Sequence, residues 1–118
     1  MASWVFEAAK KLEKLGRLQR GWDSHGGLPL NPDAKRLTLD VLGWLGTTDL
    51  PVPGVVLGSG GSVNLEWRGK GKELEVGLGK DHGVEFLKVH SHGNLEEGTE
   101  KSNLPVKIRG LATWFLRE

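Results

Sequence analysis

The 118-residue chain contains no cysteine and no tyrosine, and only one methionine and one glutamine, Gln19. Without cysteine, disulfides, thiolate catalysis and sulfur-ligated zinc are excluded together, and a reducing, cytoplasmic setting is expected. The scarcity of thermolabile residues leans toward the composition of proteins from hot-growing organisms. No charge of one sign dominates either, since 16 basic and 15 acidic side chains leave a formal charge of +1. No global field would therefore gather phosphate backbones or membrane headgroups, and any such binding must be local. Met1-Ala2-Ser3-Trp4 runs directly into a pattern with Glu7, Lys10, Lys11, Glu13 and Lys14, which neither a signal-peptide core nor a membrane span tolerates. No membrane association is expected.

What is present is an ordinary hydrophobic content of 37%, enough for one core, so residues 1–118 are read as a single α+β domain. Ser3 is placed to cap a first helix whose apolar positions Val5, Ala8, Leu12, Leu15 and Leu18 fall three and four apart, ending between Leu18 and Arg20. Gly21-Trp22-Asp23-Ser24-His25-Gly26-Gly27-Leu28-Pro29 is too particular for a generic linker and reads as a shaped turn. Asn31-Pro32-Asp33 then combines a capping amide, a proline suited to the first helical position and an acid at the positive end of the dipole. That second helix looks inward through Ala34, Leu37, Val41 and Leu45 or Trp44, with Gly46 expected to close it in a left-handed cap.

After Pro53-Gly54 the period changes from helical to alternating. Val55–Leu57, Val63–Arg68, Glu73–Leu78 and Val84–Val89 read as four strands, separated by Gly58-Ser59-Gly60-Gly61, Gly69-Lys70-Gly71 and Lys80-Asp81-His82-Gly83. Val63, Leu65 and Trp67 share an apolar face with Leu74, Val76 and Leu78, while Glu66, Arg68, Glu73 and Glu75 share the other. The helices must cover the apolar face. Residues 90–103 are polar and acidic without a period and are read as a mobile loop. Pro105 opens a last helix through Leu116. The expected architecture is thus a four-stranded antiparallel β-meander covered on one face by helices, in the order ααββββα.

Gly21-Trp22-Asp23-Ser24-x-Gly26-Gly27-x-Pro29, Pro32 and Ala34, Gly61-x-Val63-x-Leu65-Glu66-Trp67, Leu74-Glu75-Val76 and Asp81-x-Gly83 together resemble a widespread family of small prokaryotic proteins. Its recurring patterns read roughly GWDGYGA-x-P and G-x-V-x-LEW. The similarity covers about residues 12–89, and Gly98-Thr99-Glu100 resembles the Gly-Thr-Glu segment that often precedes that family's final helix. His25 stands where a tyrosine is commoner, and Gly27 where alanine is commoner. The resemblance implies a fold and a prokaryotic or phage context, and brings no established reaction.

Several constellations carry chemistry, each with a plainer alternative. Trp22 and Asp23 form a candidate ligand elbow, the indole as platform and the carboxylate as acceptor; the alternative is a plug at the helix–sheet seam and an acceptor for turn amides. Glu66, Arg68, Glu73 and Glu75 form a candidate partner-docking face, against cross-strand charge pairing on a solvated surface. His90-x-His92, with Asp81, His82 or His25, is too loosely spaced for a metal set, and no metal or cofactor is assigned. Arg68, Lys70 and Lys72 make a basic tip, diluted by the acids that follow, so nucleic acid is not expected as a partner. No catalytic residues are nominated.

The function these residues favour is a non-enzymatic module of prokaryotic or phage origin that regulates or neutralises a protein partner. A phage-encoded inhibitor of a host defence nuclease, of the anti-CRISPR kind, or of RNA polymerase is the first alternative. A nucleotide- or metal-dependent enzyme is the second. A homodimer through an apolar patch beside the first or fourth strand, both read as sheet edges, is a further expectation.

Overall fold

The computed structural model describes residues 3–79 and 83–117. The Ser3 side chain and residues 80–82 lie outside the description, and with them the readings placed on Ser3 as a cap and on Lys80, Asp81 and His82. Among the described residues the elements are α1 (Ser3–Leu15), α2 (Pro32–Leu45), β1 (Gly54–Leu57), β2 (Val63–Gly69), β3 (Lys72–Leu78), β4 (Val84–Val89), β5 (Leu95–Glu100) and α3 (Leu104–Leu116). The fold is α+β with an antiparallel sheet, but the sheet has five strands and the order is ααβββββα.

Helix α1 buries Trp4, Val5, Ala8 and Leu12, the stripe that a 3.6-residue period puts on one side. It stops at Leu15, earlier than the apolar spacing suggested. Gly16 follows, and the Arg17 and Leu18 amides donate to the Lys14 and Leu15 carbonyls, tightening the last turn. Helix α2 starts where Asn31 predicts: Asn31 Oδ1 accepts from the Asp33 and Ala34 amides at 2.9 and 3.2 Å, with Pro32 in the first turn. Its buried side includes Ala34, Leu37, Val41, Leu42, Leu45 and one polar residue, Thr38, whose hydroxyl donates to the Ala34 carbonyl at 2.7 Å. Gly46 ends α2 in the right-handed region at φ −63°, its amide bonded to the Gly43 carbonyl, where a left-handed cap was expected.

The strands lie in chain order, β1-β2-β3-β4-β5, each antiparallel to its neighbour. Gly69 pairs with Lys72, leaving Lys70 and Gly71 as a two-residue turn with φ 53° and 77°, the primed conformation that suits the twist of a hairpin. The register it sets puts Val63, Leu65 and Trp67 opposite Leu78, Val76 and Leu74. These six residues, all buried, join Val84 and the apolar stripes of all three helices in one cluster. Trp67 is 2% exposed. Its indole N–H donates to the Pro51 carbonyl at 2.8 Å, and its ring meets Trp4 edge-to-face at 6.3 Å between centroids.

Strand β5 is the main correction, because residues 95–100 pair with β4 from Val89↔Leu95 to Val84↔Glu100 where a loop was expected. The chain reverses through residues 90–94. Gly93 takes φ 93°, its amide donates to the His90 carbonyl, and the His90 amide donates to the Asn94 carbonyl. Alternation did not reveal the strand because its helix-side positions hold Glu96, Gly98 and Glu100 instead of apolar residues. Phe86 of β4 lies over Gly98 so closely that a Cβ there would come within 2.9 Å of the ring. Strand β4 is consequently interior, not an edge; the edges are β1 and β5.

Candidate functional site

All three helices pack on one side of the sheet, and among the described residues its other side carries no helix. The same register that builds the core writes that second side in rows across the strands. Asn64, Gly77, Glu85 and Thr99 are successive partners, followed by Glu66, Glu75, Leu87 and Glu97, and then Arg68, Glu73, Val89 and Leu95. Glu66, Arg68, Glu73 and Glu75, the residues expected to share an outward face, do share it.

The details show how so many carboxylates coexist. Arg68 Nε lies 3.3 Å from Glu73 Oε1 across the turn. Glu66 and Glu75 are direct cross-strand partners, an arrangement that like charges disfavour. The Asn64 amide offsets it, because Nδ2 donates to Glu66 Oε2 and to Glu75 Oε1, each at 2.9 Å. Gly77, which has no side chain, leaves a dip in the surface. One shallow cavity of ≈ 160 Å³ there includes Asn64, Glu75, Leu87 and Glu97 in its lining, and a second of ≈ 350 Å³ includes Ser62, Glu85, Thr99 and Lys101.

Glu85, Val89, Leu95 and Glu97 belong to this face and were not singled out from the sequence; Leu87, read as pointing to the face opposite Phe86, stands with them. Alternation within β4 carried the signal for Glu85 and Leu87. Leu95 and Glu97 were hidden because β5 was not recognised; the turn-forming Ser91-His92-Gly93-Asn94 was the available clue. Leu95 is 69% exposed, the largest exposure among the large apolar side chains described.

The Trp22-Asp23 turn is built by its own backbone. The Gly21 amide donates to the Gly27 carbonyl at 2.7 Å, and the Leu28 amide ties the segment to the Ser59 carbonyl. Asp23 Oδ1 accepts from the His25 amide at 3.0 Å and the Gly27 amide at 2.7 Å. Those bonds, His25 first, hold the Asp23 carboxyl below the ordinary carboxylate value because they favour its charged form. The half-buried Trp22 donates its indole N–H to the Leu28 carbonyl at 2.8 Å. It lies outside the core cluster that contains Trp67. Both polar handles of the candidate elbow are thus engaged in closing the turn.

The histidines and the basic tip are also committed locally. His90 and His92 meet edge-to-face at 5.4 Å; His90 Nε2 lies 3.3 Å from Glu96 Oε1, and His92 Nε2 is 3.2 Å from the Asn94 amide nitrogen. Among the described residues no three His, Asp or Glu side chains are grouped to hold a metal ion. Lys72 turns toward the helix side, where its ammonium donates to the Trp114 and Arg117 carbonyls at the end of α3. It also sits 5.1 Å from the Trp114 ring centroid. Lys88 faces the same ring at 5.3 Å and pairs with Glu96 at 3.6 Å. Lys72 is therefore directed away from Arg68, and the expected basic tip is split between the two sides of the sheet.

Compared with known proteins, the chain matches no family model, no curated protein and no solved structure. No helix among the described residues is long and apolar enough to cross a membrane.

Proposed function

We propose that this chain is a non-enzymatic, protein-binding module that modulates or neutralises a partner through the side of the sheet the helices leave open. One observation carries the reading: a continuous outward face set by strand register, with Glu66, Arg68, Glu73 and Glu75 at one end and Leu87, Val89 and Leu95 beside them. Charged rows beside apolar residues are the composition of a docking surface with a polar rim. The resemblance in the Gly21–Pro29 and Gly61–Trp67 segments supports a prokaryotic or phage origin for the module. Asp23 and Trp22 contribute by holding the turn after α1 in shape.

Affinity capture from the native host's lysate, read by mass spectrometry, tests this reading when the chain is run beside a Glu66→Lys/Glu75→Lys variant. A protein retained by the chain and lost by the folded variant is the expected result. Retention unchanged by the variant, or no retained protein, overturns it.

A further inference from the structure

The open face differs in charge from the rest of the chain. Among the described strand residues it carries Glu66, Glu73, Glu75, Glu85 and Glu97 against one outward basic residue, Arg68, which already pairs with Glu73. The whole chain has a formal charge of +1, so acid is concentrated here while the remainder holds a surplus of base. Lys101 stands only at the rim, beside Glu85 and Thr99.

We infer that the occupant of this face is a basic protein surface, lysine and arginine side chains around an apolar contact; the inference rests on the docking reading and supplies the partner's chemistry. The central row is shaped for it. Leu87 lies between Glu75 and Glu97 as their direct cross-strand neighbour, with the Gly77 dip alongside. Neighbouring strands are about 4.8 Å apart, so the two glutamates that flank this aliphatic platform rise from backbones about 10 Å from each other. Lysine and arginine match that pattern, since their apolar stems lie on a hydrophobic surface while their charged heads reach acids at its margin. A second copy of the chain would set acid against acid on this face, and nucleic acid or an anionic bilayer would be repelled.

The test follows backbone amide shifts of the full-length, isotope-labelled chain during titration with octa-arginine, with octa-glutamate as the opposite-charge control. Octa-arginine is expected to shift the amides of Glu75, Gly77, Glu85, Leu87 and Glu97, and added salt to weaken the effect. A Glu75→Gln/Glu97→Gln variant, its fold verified by the same spectrum, should bind about tenfold more weakly. A Glu7→Gln/Glu13→Gln variant, which removes the same charge from α1, should bind as the parent does. Shifts spread over the helices, equal loss in both variants, or no shift on the face overturn the inference. Its failure is separable from that of the docking reading. If lysate capture depends on Glu66 and Glu75 while octa-arginine ignores the face, the docking reading stands and the basic partner falls. If capture is indifferent to those residues, both fall.

Discussion

The two sides of the sheet are written by the same residues in alternation yet obey different physics. On the helix side, Val63, Leu65, Trp67, Leu74, Val76, Leu78 and Val84 are all buried, and each has apolar neighbours from other elements. On the open side, Asn64 bridges two glutamates, Arg68 pairs with Glu73, and Leu95 is mostly exposed. One side supplies the large favourable term of folding, the removal of apolar area from water, at roughly 25 cal/mol per Å². The other is held only by the ladder and by pairwise contacts worth a fraction of that, which leaves its side chains free to be specified by something other than stability.

The sharpest way to break this contrast is to truncate one leucine from each side. Leu65→Ala, at 0% exposure, should destabilise the protein by about 2–5 kcal/mol in urea unfolding, whereas Leu87→Ala should cost about 1 kcal/mol or less. Equal losses would mean that the open side is covered after all. At the margin, Gly98→Ala would push a methyl group into the Phe86 ring and should cost about 1–3 kcal/mol, with hydrogen exchange accelerating first in β4 and β5. Exchange that instead rises uniformly would show that β5 melts only with the whole sheet. Asn31→Ala removes the cap of a helix that covers the core, and should cost about 1 kcal/mol by the same unfolding measurement.

Asp23 gives a pH test away from both sides. Its carboxyl is depressed by the His25 and Gly27 amides, so its contribution is complete above the unfolded carboxylate value and is lost as pH falls through the folded one. The His25 and Gly27 amide resonances should report that loss in acid, and Asp23→Asn should abolish their titration. The smallest effect belongs to the open side: Glu75→Gln, which relieves the Glu66 repulsion, should change stability by about 0.5 kcal/mol or less while weakening partner capture.

Much of this organisation was legible before any coordinates. The alternation from Val63 to Leu78 named both faces of β2 and β3, because a period of two leaves one way to bury the apolar set. Asn31-Pro32 marked the start of α2, since cap chemistry is local. Strand β5 escaped because its helix-side positions are Glu96, Gly98 and Glu100, and the core has ended where they stand. Glu96 meets Lys88 and His90, Gly98 lies under the Phe86 ring, and Glu100 pairs with Lys107 instead. With β5 hidden, Leu95 and Glu97 of the open face were hidden too, and β4 was mistaken for an edge. Trp22 and Asp23 were recognised as a shaped turn, but only the hydrogen bonds decide that their polar atoms serve the turn itself.

The order of the strands has a kinetic consequence. Each pairs with its neighbour in the chain, so every ladder can close through a short connection, and the entropy of loop closure grows only slowly with such lengths. The helices are different: the Arg109 side chain reaches the Trp44 carbonyl, and Lys72 reaches the end of α3, from far along the chain. Local contacts speed folding and distant ones slow it. By that measure the meander is the quick part of the assembly and the docking of α3 on α2 the slow part, so a newly made chain is expected to pair its acidic strands before the layer behind them is closed.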